Sequence, residues 1–479
     1  MPTTTASRIS VAPTAATAQA SRTRSDSPGT SRSRSPRHGL QPKPSRRAGN
    51  RAALAAGLGA GLTVAISLPV ILQNLGMPGG ITGGLGILTA MVGTYLAILG
   101  CLLMARLPFI ENEVGQDRLI AWHRKLGPYA LVLITLHVVL TTVSYAQGIG
   151  VSVVAEFISL CFGSPWMLPA LFATLMMIGL GVISWRRIRA NMKYETWLTM
   201  HQYFYLAIAL AFGHQLEMGT VFIDHPVAKY FWIALYVGAA AAIVIFRILM
   251  PIVRSIRHSA KVLAVVPAEH DTVHVYIGGR KFNRLNAEGG QWFSWRFGTR
   301  NWWWQGHPYS LSAKPTDTGM RITVKDLGDQ SGALTKLKPG TRVMFEGPYG
   351  AFRADRRHTN RVVMLGAGVG ITPIRALLEQ LPEHVEAIVV YRVHEEPAPI
   401  ADELKAMAAA SHGRITVFVV SGTRQQFPMN ARQLKTVAPN IAASDVYLCG
   451  PTGFIESVKH SARELGVPAA RIHDELFEF

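Results

Sequence analysis

The sequence predicts a multi-domain protein: a bundle of six membrane-spanning helices, a small antiparallel β-barrel and an α/β domain with a mainly parallel sheet. Apolar stretches near the ~20 residues that a bilayer needs recur up to about residue 250. From about residue 259, short β-rich runs separated by Gly, Pro and Asp indicate the barrel. From about residue 360, strands alternate with helical runs, the pattern of an α/β fold.

The composition fits a partly membrane-embedded chain. Of the 479 residues, 49% are hydrophobic and 16% are charged, and the length allows two or three domains. The cysteines Cys101, Cys161 and Cys449 lie far apart without CxxC spacing. This argues against zinc ribbons, Cys-ligated iron–sulfur clusters and a disulfide scaffold.

The first 50 residues form a basic tail. Residues 1–51 hold ten Lys or Arg and one acid, Asp26, and so supply +9 of the formal net charge of +19. With almost no large apolar side chains, the tail cannot bury a core and should be disordered. A nucleic-acid-binding arm is one explanation, but the cytoplasmic flank of a first span is simpler. We therefore expect no nucleic-acid partner.

Six apolar stretches have lengths suited to crossing the membrane. Their approximate bounds are 52–72, 82–104, 126–146, 168–184, 197–216 and 227–250. The loops 105–125 and 185–196 each carry four basic residues, whereas 147–167 and 217–226 carry no Lys or Arg. By the positive-inside rule, both termini are cytoplasmic, and we expect the plasma membrane as the location.

Four histidines in or directly beside the third and fifth of these regions are the clearest sign of function. His123 and His137 are 14 residues apart, and His201 and His214 are 13 apart, roughly 20 Å along a helix in each case. The predicted topology puts His123 and His201 toward the cytoplasm and the other two toward the outside. Neutral imidazole is an axial ligand of haem iron, so the pairs could hold two stacked haems.

Two considerations oppose this interpretation. A histidine in a span can also be a packing or hydrogen-bonding residue. In a regular helix 14 steps return to nearly the same face, but 13 steps end about 140° away. We therefore expect the helix with His201 and His214 to be tilted, locally over- or underwound, or to use different rotamers.

A glycine-rich turn opens the α/β domain. GAGVGITP, with Gly366, Gly368, Gly370 and Thr372, follows the apolar strand RVVML and precedes a helix. Glycines there let the backbone approach a pyrophosphate, and the helix N-terminus stabilises its charge. A later strand ends in Cys449, Gly450 and Pro451. Ligands of open α/β sheets bind at such ends, although a buried cysteine before a turn is also common.

Three further segments hold candidate binding residues. HPYS in the barrel region could pack against and hydrogen-bond a planar cofactor, and the alternative is an ordinary strand; its residues are His307, Pro308, Tyr309 and Ser310. Lys325 offers a positive charge, and Ser331 and Gly332 could open a short helix toward a phosphate. Phe479 could seal a core or stack on a ring. The tryptophans Trp302, Trp303 and Trp304 are left without a role.

Two arginines bear on nucleotide choice. Arg392 and Arg424 follow successive strands of the α/β domain, so both could reach the adenosine end of a nucleotide. The guanidinium fork suits a 2′-phosphate, which favours NADPH over NADH. The alternative is that either arginine is a solvated surface charge.

From about residue 82 onward, the chain resembles the ferric reductase / NADPH oxidase superfamily of transmembrane flavocytochromes b. The four histidines, GAGVGITP, the Cys449–Pro451 tripeptide and HPYS, which is similar to the family's flavin motif, carry the resemblance. It implies two b-type haems, FAD and NADPH or NADH, with Phe479 over the flavin ring and Cys449 near the nicotinamide. The expected domains are a tail (1–50), a haem-binding membrane domain (51–255), an FAD-binding barrel (256–357) and an NAD(P)-binding domain (358–479).

The resemblance implies a membrane oxidoreductase that passes electrons from cytoplasmic NAD(P)H through FAD and two haems to an external acceptor. The outer loops carry Glu156, Glu217, Asp224 and His225, and such a mildly acidic surface would attract metal cations. This favours a ferric or cupric chelate as acceptor. Reduction of dioxygen to superoxide is one alternative, and a histidine-dependent proton or metal transporter is another. The sequence leaves the oligomeric state open.

Overall fold

The computed structural model describes residues 46–192, 194–223, 225–269, 271–299, 306–326, 329–394, 398–423 and 426–476. The chain divides into two compact units: a helical unit within Pro44–Val253 and a second unit that includes Arg254–Phe479. The predicted tail, residues 1–50, lies almost wholly outside the described residues.

The helical unit contains long apolar helices joined by short helical segments. In chain order its described helices are α1 (Arg46–Asn74), α2 (Gly80–Met104), α3 (Pro108–Val114), α4 (Gln116–Ile149), α5 (Val153–Phe162), α6 (Met167–Ile183), α7 (Arg186–Arg189), α8 (Tyr194–Gln202), α9 (Phe204–Met218), α10 (Thr220–Ile223) and α11 (Pro226–Ile243). A π-helical turn, Val244–Leu249, follows α11 and leads into α12 (Met250–His258).

Among the described residues, four helices are long and apolar enough to cross a membrane. They are Asn50–Asn74, Gly80–Met104, Arg118–Ile149 and Pro226–His258. Helices α5 and α6 add a fifth span if they are counted together, with a bend of 114° between them. The predicted span 197–216 is divided at Tyr203 between α8 and α9, and each part is shorter than a bilayer needs. The prediction of six spans is therefore not confirmed.

The second unit begins with two antiparallel sheets. Its elements up to residue 349 are β1 (Lys261–Ala268), β2 (Thr272–Gly278), β3 (Trp292–Phe297), β4 (His307–Ser310), β5 (Gly319–Lys325), α13 (Asp329–Leu334) and β6 (Val343–Tyr349). The strand orders are β1-β2-β5 and β4-β3-β6. Isolated bridges, Lys261–Arg342 and Leu311–Ile322, join the two sheets. The strands predicted from the sequence are all present, but these ladders do not establish a closed barrel.

An α/β domain with a parallel sheet completes the second unit, as predicted. Its elements are β7 (Arg361–Ala367), α14 (Ile371–Gln380), β8 (Glu386–Val393), α15 (Ala401–Ala409), β9 (Ile415–Ser421), α16 (Ala431–Val437), β10 (Asp445–Gly450), α17 (Thr452–Glu464) and β11 (Ile472–Leu476). The strand order is β11-β10-β7-β8-β9. The order reverses between β7 and β10, and ligands of such sheets bind outside the carboxyl ends of the strands at this point.

A buried carboxylate ties the amino end of this sheet together. Asp445 begins β10 and accepts hydrogen bonds from His473 Nε2 (2.9 Å), His358 Nδ1 (3.1 Å) and the Thr359 hydroxyl (2.8 Å). Backbone N–H groups of His358 and Thr359 also donate to it, at 2.8 and 2.7 Å. Burial opposes ionisation of Asp445, but these donors outweigh it and lower its pKa to about 2. Because its polar atoms stabilise the fold at the end opposite the ligand crevice, we assign this cluster a structural role.

Candidate functional site

His123 on α4 and His201 on α8 face each other in the helical unit. Their ring centroids are 5.9 Å apart, and the ring planes differ by 85°. Trp197 stacks on His201 with 5.1 Å between centroids. Two imidazoles that share one metal ion at about 2 Å from each ligating nitrogen have ring centroids roughly 6 Å apart. The first predicted pair therefore has the spacing of a shared iron.

The second predicted pair consists of His137, which lies 14 residues further along α4 than His123, and His214 on α9. Helices α8 and α9 are interrupted at Tyr203, whose N–H donates to the carbonyl of Met200 at 3.0 Å. This three-residue step is tighter than an α-helical turn. It lies between His201 and His214 and overwinds the chain there, which is one of the departures from a regular helix expected from their 13-residue spacing.

The partners of the ring nitrogens decide which nitrogen can bind a metal. His123 Nδ1 donates to the carbonyl of Gly100 at 3.1 Å, and His137 Nδ1 donates to the carbonyl of Gly86 at 3.0 Å. A carbonyl oxygen can only accept, so Nδ1 carries the proton in both rings and Nε2 keeps its lone pair. Metal-bound histidines have the same arrangement, with the second nitrogen held by a carbonyl. These residues therefore fit haem iron, and sequence reasoning missed both glycines.

The glycine-rich turn and the Cys449–Pro451 tripeptide meet at the switch point of the parallel sheet. A Cβ added to Gly370 would lie 2.4 Å from the carbonyl oxygen of Cys449 and 2.8 Å from the backbone nitrogen of Gly450. Gly368 has a φ of 56°, with no atom within 4 Å of an added Cβ among the described residues. The turn is thus packed tightly against β10 on one side and open on the other, as a backbone that receives a phosphate must be.

A cavity of ≈ 320 Å³ lies against the open side of this turn. Of the predicted site residues, Lys325, Gly368 and Thr372 line it. The Thr372 hydroxyl donates to the carbonyl of Val369 at 2.9 Å, so it holds the turn. Sequence reasoning missed other lining residues because they come from separate strands: Asp271, Thr272, Thr323, Tyr391 and His394. Burial raises the pKa of the Tyr391 hydroxyl, which is therefore a neutral hydrogen-bonding group.

An ion-pair network joins the antiparallel sheets to the α/β domain. Arg321 on β5 bonds both carboxylate oxygens of Glu403 on α15 at 3.0 Å and also bonds Ser312 through its Nε (3.1 Å to Oγ). Arg375 on α14 lies 2.7 Å from the same carboxylate. Burial opposes ionisation of Glu403, but the bonds from Arg321 outweigh it and lower the pKa of Glu403. We call the ion pair between Arg321 and Glu403 the clamp. Its two residues are 82 apart in sequence, so no local motif revealed it.

The HPYS segment forms β4, which pairs with β3. His307 and Ser310 are buried, whereas Pro308 and Tyr309 are half-buried. Burial raises the pKa of the Tyr309 hydroxyl. The Ser310 hydroxyl is buried without a hydrogen-bond partner among the described residues. A buried polar atom of this kind normally has a partner, so the segment fits a bound cofactor that supplies one.

Several predicted residues stand elsewhere than expected. The Cys449 thiol is fully buried in the core, and burial raises its pKa well above the usual range, so it does not face the cavity. Arg392 neighbours Tyr391 and Val393 on β8, and alternation places it on the opposite face from these two cavity residues. An added Cβ on Gly332 would lie 2.8 Å from a carboxylate oxygen of Asp326, so this part of α13, which also contains Ser331, packs against an acid.

Other predictions fall outside the described residues or need correction. Arg424, Phe479 and the three tryptophans at 302–304 lie outside the described residues, as does Asp224. Glu156, expected on an acidic outer surface, is 5% exposed in α5. The loop assigned to it contains helix α5, and Glu156 is buried within that helix. Glu217 is exposed.

Comparison with known proteins agrees with these features. The family described as "Ferric reductase like transmembrane component" matches residues 89–212. "FAD-binding domain" matches 257–353, and "Oxidoreductase NAD-binding domain" matches 364–460. The first match covers His123, His137 and His201, and the second covers HPYS. The third covers the whole glycine-rich turn and the Cys449–Pro451 tripeptide.

Individual relatives match part of the chain. The ferredoxin reductase component of 3-ketosteroid-9-alpha-monooxygenase from Rhodococcus rhodochrous is 30% identical over 176 residues, 35% of this chain and 50% of that protein. Flavohemoprotein A from Dictyostelium discoideum is 27% identical over 183 residues, 35% of this chain and 46% of that protein. The chain thus spans about half the length of the curated relatives it matches. The FAD/NAD-binding domain of nitric oxide dioxygenase from Vibrio cholerae is 24% identical, with a TM-score of 0.40, over 46% of this chain and 99% of that structure.

The fold and the matched domains define a membrane-bound, NAD(P)H-dependent oxidoreductase with an FAD-type domain and a parallel-sheet nucleotide domain. The order of these three matched domains is similar to that of the ferric reductase / NADPH oxidase superfamily.

Proposed function

We propose that this protein passes electrons from cytoplasmic NAD(P)H to an acceptor outside the cell, with FAD and two b-type haems as its carriers. The observation that carries this proposal is the pair formed by His123 and His201, whose rings lie 5.9 Å apart. His123 has its Nδ1 proton engaged by a carbonyl, so Nε2 is the free ligand atom. When bound, FAD would accept a hydride and the haems would carry single electrons across the membrane.

The residues that hold the cofactors follow from the site. His123 with His201, and His137 with His214, bind the two haem irons. Pro308, Tyr309 and Ser310 contact the flavin, with His307 near its phosphates and Phe479 over its ring. The buried Ser310 hydroxyl supports this contact.

The cavity beside the glycine-rich turn receives the nicotinamide nucleotide. Lys325 offers charge to its phosphates, while Gly366, Gly368 and Gly370 let the backbone approach them. Cys449, Gly450 and Pro451 shape the end of β10 beneath the nicotinamide. Arg424 at the adenosine end would favour NADPH, because a guanidinium binds a 2′-phosphate through two charge-assisted bonds. Arg392 lies on the face of β8 opposite Tyr391 and Val393, so it would have to reach the same phosphate past the end of the strand. The measurement is the ratio of kcat/KM for NADPH to kcat/KM for NADH in the wild type and in Arg424→Ala. An unchanged ratio would contradict a role of Arg424 in binding the 2′-phosphate.

The protein has six spans with both termini in the cytoplasm and resides in the plasma membrane. The chain divides into a tail (1–50), a haem domain (51–255), an FAD domain (256–357) and an NAD(P) domain (358–479). The basic loops 105–125 and 185–196 support this orientation. A reporter placed after Phe479 should be cytoplasmic and one placed in 147–167 external, and the reverse result would invert the direction of electron flow.

The acceptor is a ferric or cupric chelate. The exposed carboxylate of Glu217 supports an outer surface that attracts cations, whereas buried Glu156 contributes nothing to it. Reduction of dioxygen to superoxide is the alternative within the same class. A histidine-dependent transporter is the alternative outside it, and it predicts no b-type haem absorbance in the purified protein.

The experiment is anaerobic stopped-flow spectroscopy of the purified holoprotein. Mixing with NADPH or NADH should reduce the flavin and then the haems. A second mixing with ferric chelate should reoxidise the haems faster than mixing with oxygen does. Faster reoxidation by oxygen, with superoxide formed, would contradict the chelate assignment, and haems that NAD(P)H cannot reduce would contradict the whole electron path.

A further inference from the structure

Helix α2 contacts α4 through a regular series of backbone groups. The carbonyls of Gly100 and Gly86 accept from the Nδ1 atoms of His123 and His137, and the carbonyl of Gly79 accepts from the Ser144 hydroxyl at 2.8 Å. The two glycines that face histidines are 14 residues apart, as are the histidines themselves, and the Gly79–Ser144 contact lies seven residues further along both helices. Helices α2 and α4 therefore run antiparallel in one register from end to end.

Glycines make this close approach possible. A Cβ added to Gly86 would lie 2.8 Å from Thr141 Oγ1 and 3.3 Å from its backbone nitrogen. At Gly93, midway between the two carbonyls, an added Cβ would lie 3.0 Å from Leu133 Cβ. Close backbone packing at small residues is how membrane helices bring polar groups together. A carbonyl has two lone pairs, so it can serve its own helix and still accept from a ring on the next.

The two contacts differ in how tightly they are packed. At Gly100 an added Cβ would lie 3.5 Å from His123 Nδ1, an ordinary contact distance. At Gly86 the added atom would displace Thr141, whose Oγ1 itself lies 3.1 Å from His137 Nδ1. An extra methyl group should therefore disturb the His137 site and leave the His123 site nearly unchanged.

From this geometry we infer that α2, which supplies no haem ligand, positions both ligands of α4. The Gly86 and Gly100 carbonyls fix the tautomer and orientation of His137 and His123, so that Nε2 of each ring faces the partner helix as a basic ligand. The inference rests on the proposed haem function. Gly86 is a positioning residue: it acts on the haem through His137, and its small size is what keeps its carbonyl within reach. A donor bond at the outer nitrogen raises ligand basicity, and such partners typically change metal affinity about 10- to 100-fold.

The test uses purified full-length holoprotein and two matched variants, Gly86→Ala and Gly100→Ala. Potentiometric titration of the haem absorbance and low-temperature EPR resolve the two haems. In Gly86→Ala one haem should shift to a higher reduction potential with an altered low-spin signal, and its occupancy should fall. The other haem should keep its potential. Gly100→Ala should leave both haems close to wild type.

A third variant separates positioning from misfolding. Gly86→Ala with Thr141→Ala makes room for the added methyl group, so it should restore the potential and EPR signal toward those of Thr141→Ala alone. Pulsed EPR on protein with ¹⁵N-labelled histidine reports the hydrogen bond at the remote nitrogen directly. Equal effects of Gly86→Ala and Gly100→Ala, or an unchanged haem in Gly86→Ala, would overturn the inference. A wild-type protein without haem would instead overturn the proposed function.

Discussion

The helical unit and the α/β domain build their polar sites in different ways. In the helical unit the rings of His123 and His137 are oriented by the backbone carbonyls of Gly100 and Gly86, and the spacing along two helices sets the distance between sites. In the α/β domain the turn packs through Gly370 on β10, and a network of charged side chains around Glu403 links α14 and α15 to β5.

This difference follows from the solvent of each region. Inside a bilayer an unpaired polar group costs several kcal/mol. A polar site there is therefore best built from a few rings, each with a backbone hydrogen-bond partner. In water, a charged side chain that loses its partner can still be hydrated. The second unit can therefore contain ion-pair networks in which the individual side chains contribute unequally to stability. Loss of one group should therefore abolish a site in the helical unit and only weaken one in the second unit.

The largest expected effect is on His214. His214→Ala should abolish reduction of an external acceptor, because one side of the second iron site is lost, while haem held by His123 and His201 stays reducible by NAD(P)H. The measurements are acceptor reduction in sealed vesicles and haem reduction in detergent. His460→Ala, which changes an exposed histidine of α17, is the control. Undiminished acceptor reduction in His214→Ala would contradict the pairing.

The next effect is at Gly370. Gly370→Ala places a methyl group 2.4 Å from the Cys449 carbonyl oxygen, and the overpacking should weaken NAD(P)H binding roughly ten-fold or more. Haem content should not change, because the helical unit is unaltered. Gly319→Ala, whose nearest atom is the Thr316 hydroxyl at 3.3 Å, is the control. Equal nucleotide KM values in the two variants would show that the turn is not packed as described.

A smaller effect concerns acid stability. The pKa of Asp445 is about 2 in the fold, below its ordinary value of 3.8. Because the pKa of Asp445 is depressed in the folded state, its ionised carboxylate adds about 2 kcal/mol to the free energy of unfolding above pH 3.8. This contribution is lost as the pH falls from about 4 toward 2. Asp445→Asn should therefore lower the free energy of unfolding at pH 6 more than at pH 3. The same decrease at both pH values would assign the effect to packing alone.

The smallest effect is at the clamp. Glu403→Gln keeps the shape of the side chain but leaves Arg321, which is 9% exposed, without a charged partner. Because Glu403 itself is about one-third exposed, we expect a loss of about 1 kcal/mol, seen as a modest drop in the Tm of the flavin-bearing unit. Lys405→Gln, which breaks the exposed pair with Asp402, should change the Tm less. A larger decrease in Tm for Lys405→Gln than for Glu403→Gln would contradict a stabilising role of the Arg321–Glu403 ion pair.

How much of this could be read from the sequence depends on the range of each interaction. The meeting of the glycine-rich turn with Cys449–Pro451 was predictable, because the carboxyl ends of parallel strands share one edge. An irregularity in the helix between His201 and His214 could be predicted, because 13 residues do not return to the same face of a regular helix. Its position at Tyr203 could not be predicted. The spacing of residues in the sequence thus identified which residues form each site, but not how they are arranged in space.

The missed residues share a physical reason. Gly86 and Gly100 look like packing glycines in an apolar helix, and only the register with α4 shows their carbonyls at the histidines. Arg321 and Glu403 are 82 residues apart, so their pairing depends on how two domains dock. Glu156 was predicted to be an exposed loop residue because the short helix α5 was not recognised; it is buried in that helix.

The central claim is that His123 pairs with His201 and His137 with His214. The most direct measurement is the haem-to-protein ratio with low-spin EPR in the four single His→Ala variants, purified as full-length protein. The account predicts that each variant loses one of two bis-histidine signals, that His123→Ala and His201→Ala lose the same signal, and that His137→Ala and His214→Ala lose the other. Loss of the same signal in His123→Ala and His214→Ala, or an unchanged ratio in all four, would contradict it.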